Sequence, residues 1–218
     1  MPKAASLSRA VNFYGNEFLV SPNTLIPRPE TEQLVERILS SAKEHLGSAP
    51  RIIDVGTGSG VIAITLKLHL PQATVVAVDN DAAALEIARR NGARLGAKIS
   101  CYRSNLLDQV ASRFDLVIAN LPYVPASRWS YLPESVRDFE PRDAIIGGRD
   151  GLKWLRPLIG QLSSHLNEPG LVALEIDDIK SFRVIELIRA ALPSYQVWVE
   201  PDLAGFDRFV FALPAQLT

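Results

Sequence analysis

From Arg51 onward, short apolar runs alternate with segments of helical period. "RIIDV" (51–55), "TVVAVD" (74–79), "AKISCYR" (97–103) and "FDLVIAN" (114–120) read as strands. "VIAITLKLHL" (61–70), closed by Pro71, and "AAALEIARRNGA" (82–93), which Gly92 can end, have helical spacing. A loop-rich stretch follows from Leu121 to about Gly151, punctuated by Pro122, Pro125, Pro133, Pro141, Gly147 and Gly148. A connection of that length in a compact domain points to function or disorder. Beyond it the pattern predicts a helix (151–166), a strand "LVALEI" (171–176), a helix (180–191) and two strands, "YQVWVE" (195–200) and "RFVFAL" (208–213). The short "PDLAGFD" link makes those last two an antiparallel pair.

This alternation predicts an α/β fold of Rossmann-like type around a mostly parallel sheet. Upstream, "TEQLVERILSSAKEHL" (31–46) reads as a helix with Leu34, Ile38 and Leu39 on one face. "VNFYGNEFLV" (11–20) reads as a small hairpin with Gly15-Asn16 at its turn. The expected organisation is an N-terminal extension over 1–30 and one domain over 31–218, without internal repeats.

Composition narrows the classes. The chain has 218 residues, 47% hydrophobic and 22% charged, enough to bury a sizeable core. A net charge of −1 gives no strong attraction to nucleic acid or anionic membrane. A single cysteine, Cys101, forbids an internal disulfide and any multi-cysteine metal site, and its apolar context reads as core. His45, His69 and His165 show no ligand spacing, so no metal site is expected. No apolar run approaches the ~18 residues of a membrane span. The start, "MPKAASLSRAVNFYG", has no apolar segment of secretory type. The expectation is a cytoplasmic, soluble monomer.

The candidate chemistry begins at "DVGTGSGVIA", which follows the first strand and opens the first helix. Glycines there let the backbone turn tightly and approach a ligand closely. Asp79 closes the second strand, where a carboxylate can take both ribose hydroxyls of a nucleoside. A dinucleotide loop wants a small residue at the position occupied by Val61, and no Gly-Lys-Ser/Thr follows for a P-loop. The tighter Gly-x-Gly-x-Gly spacing suits S-adenosylmethionine, which has no pyrophosphate. The candidate cofactor residues are therefore Gly56, Thr57, Gly58, Ser59 and Gly60, with Asp79 and Asn80. Asp54 is expected near the cofactor's ammonium, and Asn105, after the third strand, near its adenine. The plain alternative is a glycine-rich turn with no ligand, with Asp79 as a helix cap. Asp81 can fill the cap instead and leave Asp79 free.

Asn120, Leu121, Pro122 and Tyr123 end the fourth strand beside that loop, at the carboxyl edge where open α/β sheets bind ligands. Pro122 biases Leu121 to an extended conformation. The Asn120 side-chain oxygen and the Leu121 carbonyl can then accept from one planar –NH2 group, with the Tyr123 ring offering a flat face. An amide nitrogen is a poor nucleophile because its lone pair is delocalised. Holding its N–H bonds on two acceptors favours the tetrahedral nitrogen and disperses the charge that develops on transfer. The plain alternative is a proline-ended strand with a packed tyrosine.

With these residues in view the chain resembles the HemK/PrmC family of protein-(glutamine-N5) methyltransferases, from about Phe13 to Ala212. The matching stretches are "LIPRPETE" (25–32), "DVGTGSG" (54–60), "AVDND" (77–81), "FDLVIANLPYVP" (114–125), "EPRDAIIGGRDGL" (140–152), "LEI" (174–176) and "DLAGFDRFV" (202–210). The resemblance implies a class I methyltransferase fold with a seven-stranded sheet and an antiparallel C-terminal strand. It implies S-adenosylmethionine as methyl donor and the glutamine of the Gly-Gly-Gln loop of peptide-chain release factors as acceptor. It places Gly56 to Gly60 and Asp79 on the cofactor, Asn120 to Tyr123 on the glutamine amide, and Leu106 or Asn105 at the adenine. Arg28 and Glu32 fall in a segment expected to close over the site. Two departures stand out. Leu121 replaces the usual proline of an Asn-Pro-Pro-Tyr tetrad, and the sequence begins almost where the family's helical N-terminal domain, which docks the release factor, would end.

A second reading is a nucleic-acid methyltransferase acting on the exocyclic amine of adenine or guanine, because a flipped base also presents a planar –NH2. Arg128, Arg137, Arg142 and Arg149 in the loop after the tetrad favour it; the near-neutral charge and the interleaved Asp138, Glu140, Asp143 and Asp150 oppose it. A non-catalytic relative would not need the intact tetrad. A dinucleotide oxidoreductase is disfavoured by Val61.

Overall fold

The computed structural model describes residues 9–138 and 140–215. The opening residues, read above as free of a secretory segment, lie mostly outside the described ones. Among the described residues no helix is long and apolar enough to cross a membrane.

A hairpin of β1 (Arg9–Phe13) and β2 (Asn16–Val20) leads into α1 (Pro29–His45). Then follow β3 (Arg51–Val55), α2 (Val61–His69), β4 (Thr74–Asp79), α3 (Ala82–Leu95), β5 (Ser100–Arg103) and β6 (Phe114–Asn120). The loop after β6 carries a 3-10 turn (Ala126–Tyr131), the four-residue α4 (Glu134–Arg137) and a second 3-10 turn (Arg142–Ala144). The chain finishes with α5 (Leu155–His165), β7 (Leu166–Glu175), α6 (Ser181–Ala191), β8 (Tyr195–Pro201) and β9 (Asp207–Pro214).

The seven-stranded sheet has the order β5-β4-β3-β6-β7-β9-β8. Only β9 runs antiparallel, inserted between β7 and β8. The strict two-residue alternation of the strands sorts the sheet's faces. Ile52, Leu116, Ile118, Leu171 and Ala173 join α1 and α2 in one core. Ile53, Val55, Val117, Ala119, Val172 and Leu174 join α5 and α6 in the other. Both faces are covered, which is why these strands read as continuous apolar runs.

The structure shifts several of the expected boundaries, among them the start of β7, which lies at Leu166 rather than Leu171 because Leu166 already pairs with Phe114. The hairpin turns at Tyr14-Gly15 rather than Gly15-Asn16, since both adopt positive φ (48° and 75°) and Phe13 pairs with Asn16. Helix α3 runs through Gly92 and stops at Gly96 (φ 69°), where the Ala97 N–H caps the Gly92 carbonyl. The third strand is only the four residues that pair with the end of β4, because Ala97 and Ile99 turn inward to pack. Helix α5 starts late, at Leu155, because Gly147 to Gly151 are committed to packing on the tetrad backbone.

One buried amide fastens the hairpin to the rest. Asn91 in α3 is fully buried; its oxygen accepts from the Leu19 N–H (2.8 Å), and its nitrogen donates to the carbonyls of Leu19 (2.9 Å) and Ser59 (2.8 Å). Asn91→Leu would remove the partner of three backbone groups at once, the half-buried Leu19 N–H and carbonyl and the buried Ser59 carbonyl. It should destabilise the protein by about 2–4 kcal/mol in urea denaturation; a loss below about 1 kcal/mol would show that the staple contributes little.

Candidate functional site

Strand β3 lies between β4 and β6, and the strand order reverses there: from β3 the chain steps through α2 to β4 on one side, while from β6 it steps through α5 to β7 on the other. A crevice opens there at the carboxyl ends of β3 and β6. It encloses about 720 Å³ and is lined by Gly56, Gly58, Asp79, Asn80, Asn105, Leu106, Asn120, Leu121 and Pro122, and it also takes in Thr24, Lys153 and Trp154.

The glycine loop is built as its sequence demands. Gly56, Gly58 and Gly60 all have positive φ (76°, 55° and 83°). The N–H groups of Gly56 and Thr57 both donate to the Val78 carbonyl, tying the loop to β4. A Cβ on Gly56 would lie 2.6 Å from Leu121 Cδ2, so the leucine that departs from the tetrad pattern packs directly over the first glycine. Thr57, Ser59 and Gly60 are buried behind the loop and do not line the crevice.

Asp79 stands at the rim. Its carboxylate accepts from the Gly58 N–H (2.9 Å) and the Asp81 N–H (2.9 Å), which fixes it while leaving lone pairs for a ligand. Burial raises its pKa above the ordinary carboxylate value, opposed by those two N–H groups. Asp81 caps α3 through the Ala83 N–H (2.8 Å), so the cap and the ribose candidate are separate residues.

Asp54 is placed differently from the expectation. It is fully buried beneath the loop, outside the crevice lining, accepting from the Thr57 hydroxyl (2.7 Å) and the Ala63 N–H (3.2 Å). It braces the loop against the start of α2, and burial pushes its pKa up to about 6. Its second oxygen, Oδ1, is buried without a hydrogen-bond partner. Asn105 lines the crevice with its amide donating to Asp108 (2.7 Å). Leu106 beside it holds a positive φ of 51°, a strained backbone for a leucine and of the kind found at ligand sites.

The tetrad is braced from both sides. Val124 and Ile145 to Gly147 exchange backbone hydrogen bonds (Val124 N–H to Ile145, 3.0 Å; Gly147 N–H to Val124, 2.9 Å). A Cβ on Gly147 or Gly151 would collide with the carbonyls of Pro122 and Tyr123 respectively. The glycines of "IIGGRDGL" therefore let that segment lie against the tetrad backbone.

Below the tetrad is a polar chain that the sequence reading did not assign. Asn120 and Glu175 are register partners on β6 and β7, so they share the α1 face of the sheet. Asn120 Nδ2 donates to Thr31 Oγ1 (3.0 Å), Thr31 Oγ1 donates to Glu175 Oε2 (2.9 Å), and the Tyr123 hydroxyl donates to Glu175 Oε1 (3.2 Å). Glu175 is almost fully buried, and burial outweighs these donors to push its pKa up to about 7. Burial and the neighbouring Glu175 also push the Tyr123 phenol well above its ordinary value. A lone acid inside the apolar run "LVALEI" was the available signal, since a buried charge needs partners.

The two residues without an assigned role have structural ones. Arg28 pairs with Glu140, which also accepts from the Ile26 N–H (3.2 Å), while Glu32 accepts from the Tyr14 N–H (2.7 Å). Three of the four loop arginines are engaged within the protein. Arg128 pairs with Asp177 (2.9 Å), Arg142 lies over the Trp129 ring (5.4 Å), and Arg137 donates to the Leu132 carbonyl (3.0 Å).

A carboxyl group whose pKa is higher in the folded than in the unfolded chain favours folding below its unfolded value. That contribution is lost as pH rises through the folded value. For Glu175 the window runs from its ordinary 4.5 to about 7. Relative to wild type, Glu175→Gln should therefore gain about 3 kcal/mol between roughly pH 4 and pH 8 in urea midpoints. A constant difference across that range would show that Glu175 titrates normally.

Comparison with known proteins agrees with this geometry. The family described as "Methyltransferase small domain" matches residues 30–131. The release factor glutamine methyltransferase of Enterococcus faecalis is 41% identical over 201 residues, covering 92% of this chain and 72% of that protein. The protein of the same name from Bacillus subtilis is 35% identical, with the same coverage of 92% and 72%. Among solved structures, a ribosomal protein L11 methylase from Lactobacillus delbrueckii subsp. bulgaricus superposes with a TM-score of 0.65 at 24% identity, over 89% of this chain and 83% of that one. A Thermus thermophilus 16S rRNA N2 G1207 methyltransferase, in complex with AdoMet and guanosine, gives 0.69 at 16% identity, over 98% and 52%. The structural likenesses establish the methyltransferase fold; the sequence likenesses go further, and by them the chain belongs to the release factor glutamine methyltransferase family.

Proposed function

We propose that this chain transfers a methyl group from S-adenosylmethionine to the side-chain amide nitrogen of a glutamine in a peptide-chain release factor, that of its Gly-Gly-Gln loop. The observation that carries the proposal is the state of Asn120. Its nitrogen is held by Thr31, so its oxygen is the atom left for a ligand at the crevice, next to the Leu121 backbone.

The crevice suits the cofactor. It has a loop with three glycines at positive φ, a fixed carboxylate at its rim and a volume matched to a nucleoside with an amino-acid tail. Gly56 and Gly58 would lie against it, Asp79 would take the ribose hydroxyls with Asn80 beside it, and Asn105 and Leu106 would border the adenine. Thr57, Ser59, Gly60 and Asp54 support the loop from behind. When bound, S-adenosylmethionine supplies a methyl group already activated by its sulfonium.

The protein's own residues then have to prepare the acceptor. The Asn120 oxygen and the Leu121 carbonyl accept the two N–H bonds of the glutamine amide. That arrangement favours a tetrahedral nitrogen and disperses the positive charge that develops there. Pro122 fixes the backbone that presents the carbonyl, and the Tyr123 ring, anchored at its hydroxyl by Glu175, bounds the amide plane. The methylated nitrogen is strongly acidic and loses its extra proton to water, so no side chain is required as a general base in this scheme. The nucleic-acid reading loses ground because three of the four loop arginines that favoured it are held by protein partners.

Transfer from labelled S-adenosylmethionine to a purified release factor, mapped to a residue by mass spectrometry, tests the proposal, with structured RNA and duplex DNA in parallel. Label on the Gly-Gly-Gln glutamine is the expected result; label on nucleic acid alone would overturn it. Asn120→Ala should lower transfer by more than about 100-fold while cofactor affinity changes little. Leu121→Pro should keep turnover within about threefold, because Asn120 already has the extended backbone that a following proline favours. Its stability should fall by about 1 kcal/mol for the lost contact over Gly56. A large loss of turnover in folded Leu121→Pro would give the leucine side chain a part in the reaction.

A further inference from the structure

Asn120 can serve as an acceptor only if its amide is oriented with the oxygen toward the crevice, and an asparagine amide is nearly symmetric in shape. Something must break that symmetry. The chain Asn120–Thr31–Glu175–Tyr123 has a built-in direction that does so. We propose that Thr31 and Glu175 are positioning residues that fix the Asn120 amide, oxygen outward, by forcing the polarity of every hydrogen bond between them. The inference rests on the role given to Asn120 above.

The argument uses only donors and acceptors. An ionised carboxylate accepts and cannot donate. Glu175 therefore turns both of its neighbours into donors: Thr31 points its O–H at Oε2 (2.9 Å) and Tyr123 points its O–H at Oε1 (3.2 Å). With its single proton committed, Thr31 Oγ1 can only accept from Asn120, which must present its –NH2 (3.0 Å). The Asn120 oxygen is then left on the other side. The same carboxylate anchors the Tyr123 ring, so one buried group orients both elements of the acceptor site.

The chain's placement is rigid. Thr31 sits in the first turn of α1 and is 2% exposed, and Glu175 is 1% exposed at the end of β7. The charges bearing on Glu175 come from three directions. Glu30 on α1 opposes ionisation, Arg208 on β9 favours it, and the Tyr123 hydroxyl lies on the loop after β6. Arg208 itself is held elsewhere, donating to Asp202 (3.1 Å) and to the Ile176 carbonyl (3.0 Å), so it acts on Glu175 through space. Protonation gives Glu175 a hydrogen to donate and removes the imposed direction. Thr31 is then free to offer its proton to the asparagine oxygen.

The experiment compares Thr31→Val, Thr31→Ser and Glu175→Gln in the full chain with two independent readouts. One is the kinetics of methyl transfer to a release factor, alongside cofactor affinity. Thr31→Val should lower kcat on the order of 100-fold with cofactor affinity unchanged, and Thr31→Ser should restore it. Wild type should lose kcat as pH falls below about 7, and Glu175→Gln should be low and flat across that range. The other readout is the Asn120 side-chain –NH2 signal in a 15N-resolved spectrum, identified by its disappearance in Asn120→Ala. Its protons should be protected from exchange in wild type and Thr31→Ser, and unprotected in Thr31→Val.

Protection unchanged in Thr31→Val would overturn the proposal. So would a serine variant as impaired as the valine one, which would mean that packing and not the hydroxyl matters. The amide signal needs no substrate, so the two readings separate. If wild type fails to methylate the glutamine but the amide loses protection in Thr31→Val, the assigned reaction is wrong and the positioning chain stands.

Discussion

The parallel pairing of β3 with both β4 and β6 is the constraint on which the site depends. Parallel neighbours cannot be joined by a tight turn, so β3 and β6 each hand the chain to a crossover that carries a covering helix, α2 after β3 and α5 after β6. Around β3 those crossovers depart to opposite faces, and the carboxyl ends of β3 and β6 are left without a connection above them. The glycine loop and the asparagine tetrad occupy those two ends. Their proximity follows from topology, and it brings together groups separated by more than sixty positions in the sequence.

Much of this was legible in the sequence because the strands are buried on both faces. β3, β4 and β6 have the boundaries their apolar runs predict, and the antiparallel pair at the C-terminus follows from its short link. What escaped the reading depended on contacts with distant segments. Gly92 has the chemistry of a helix end, but α3 continues to Leu95 because a second glycine, Gly96, takes the left-handed position. The hairpin turn moved by one residue because Tyr14 accepts a positive φ, which composition alone does not favour. Glu175 and Thr31 are unremarkable apart. Only the register of β6 on β7, with α1 laid across them, makes them neighbours of Asn120.

The site residues divide along the same line. Glycine, Asp79 and Asn120 face the crevice and were found by motif, since motifs record what a ligand needs. Asp54, Thr57 and Asn91 hold the loop from the protein side. Asp54 and Thr57 lie within the motif and bond to each other, whereas Asn91 reaches the Ser59 carbonyl from a helix 32 residues on, and no local pattern announces it. Leu121 belongs to both classes: its carbonyl is assigned to the substrate, while its side chain fills the space over Gly56.

The Arg28–Glu140 pair has a consequence for how the crevice admits a ligand. Residues 23–25, ahead of α1, line the crevice, as do Pro141, Asp143, Ala144 and Ile146. Glu140 joins them by taking the Arg28 guanidinium and the Ile26 N–H with a side chain only 1% exposed. Two segments far apart in sequence are thus joined into a single arch. The disorder each would have alone is surrendered when the chain folds, so an arriving ligand meets walls already in place and need not order them itself. With Glu140 buried and Arg28 partly so, the clasp is also less screened by salt than a pair exposed at both ends.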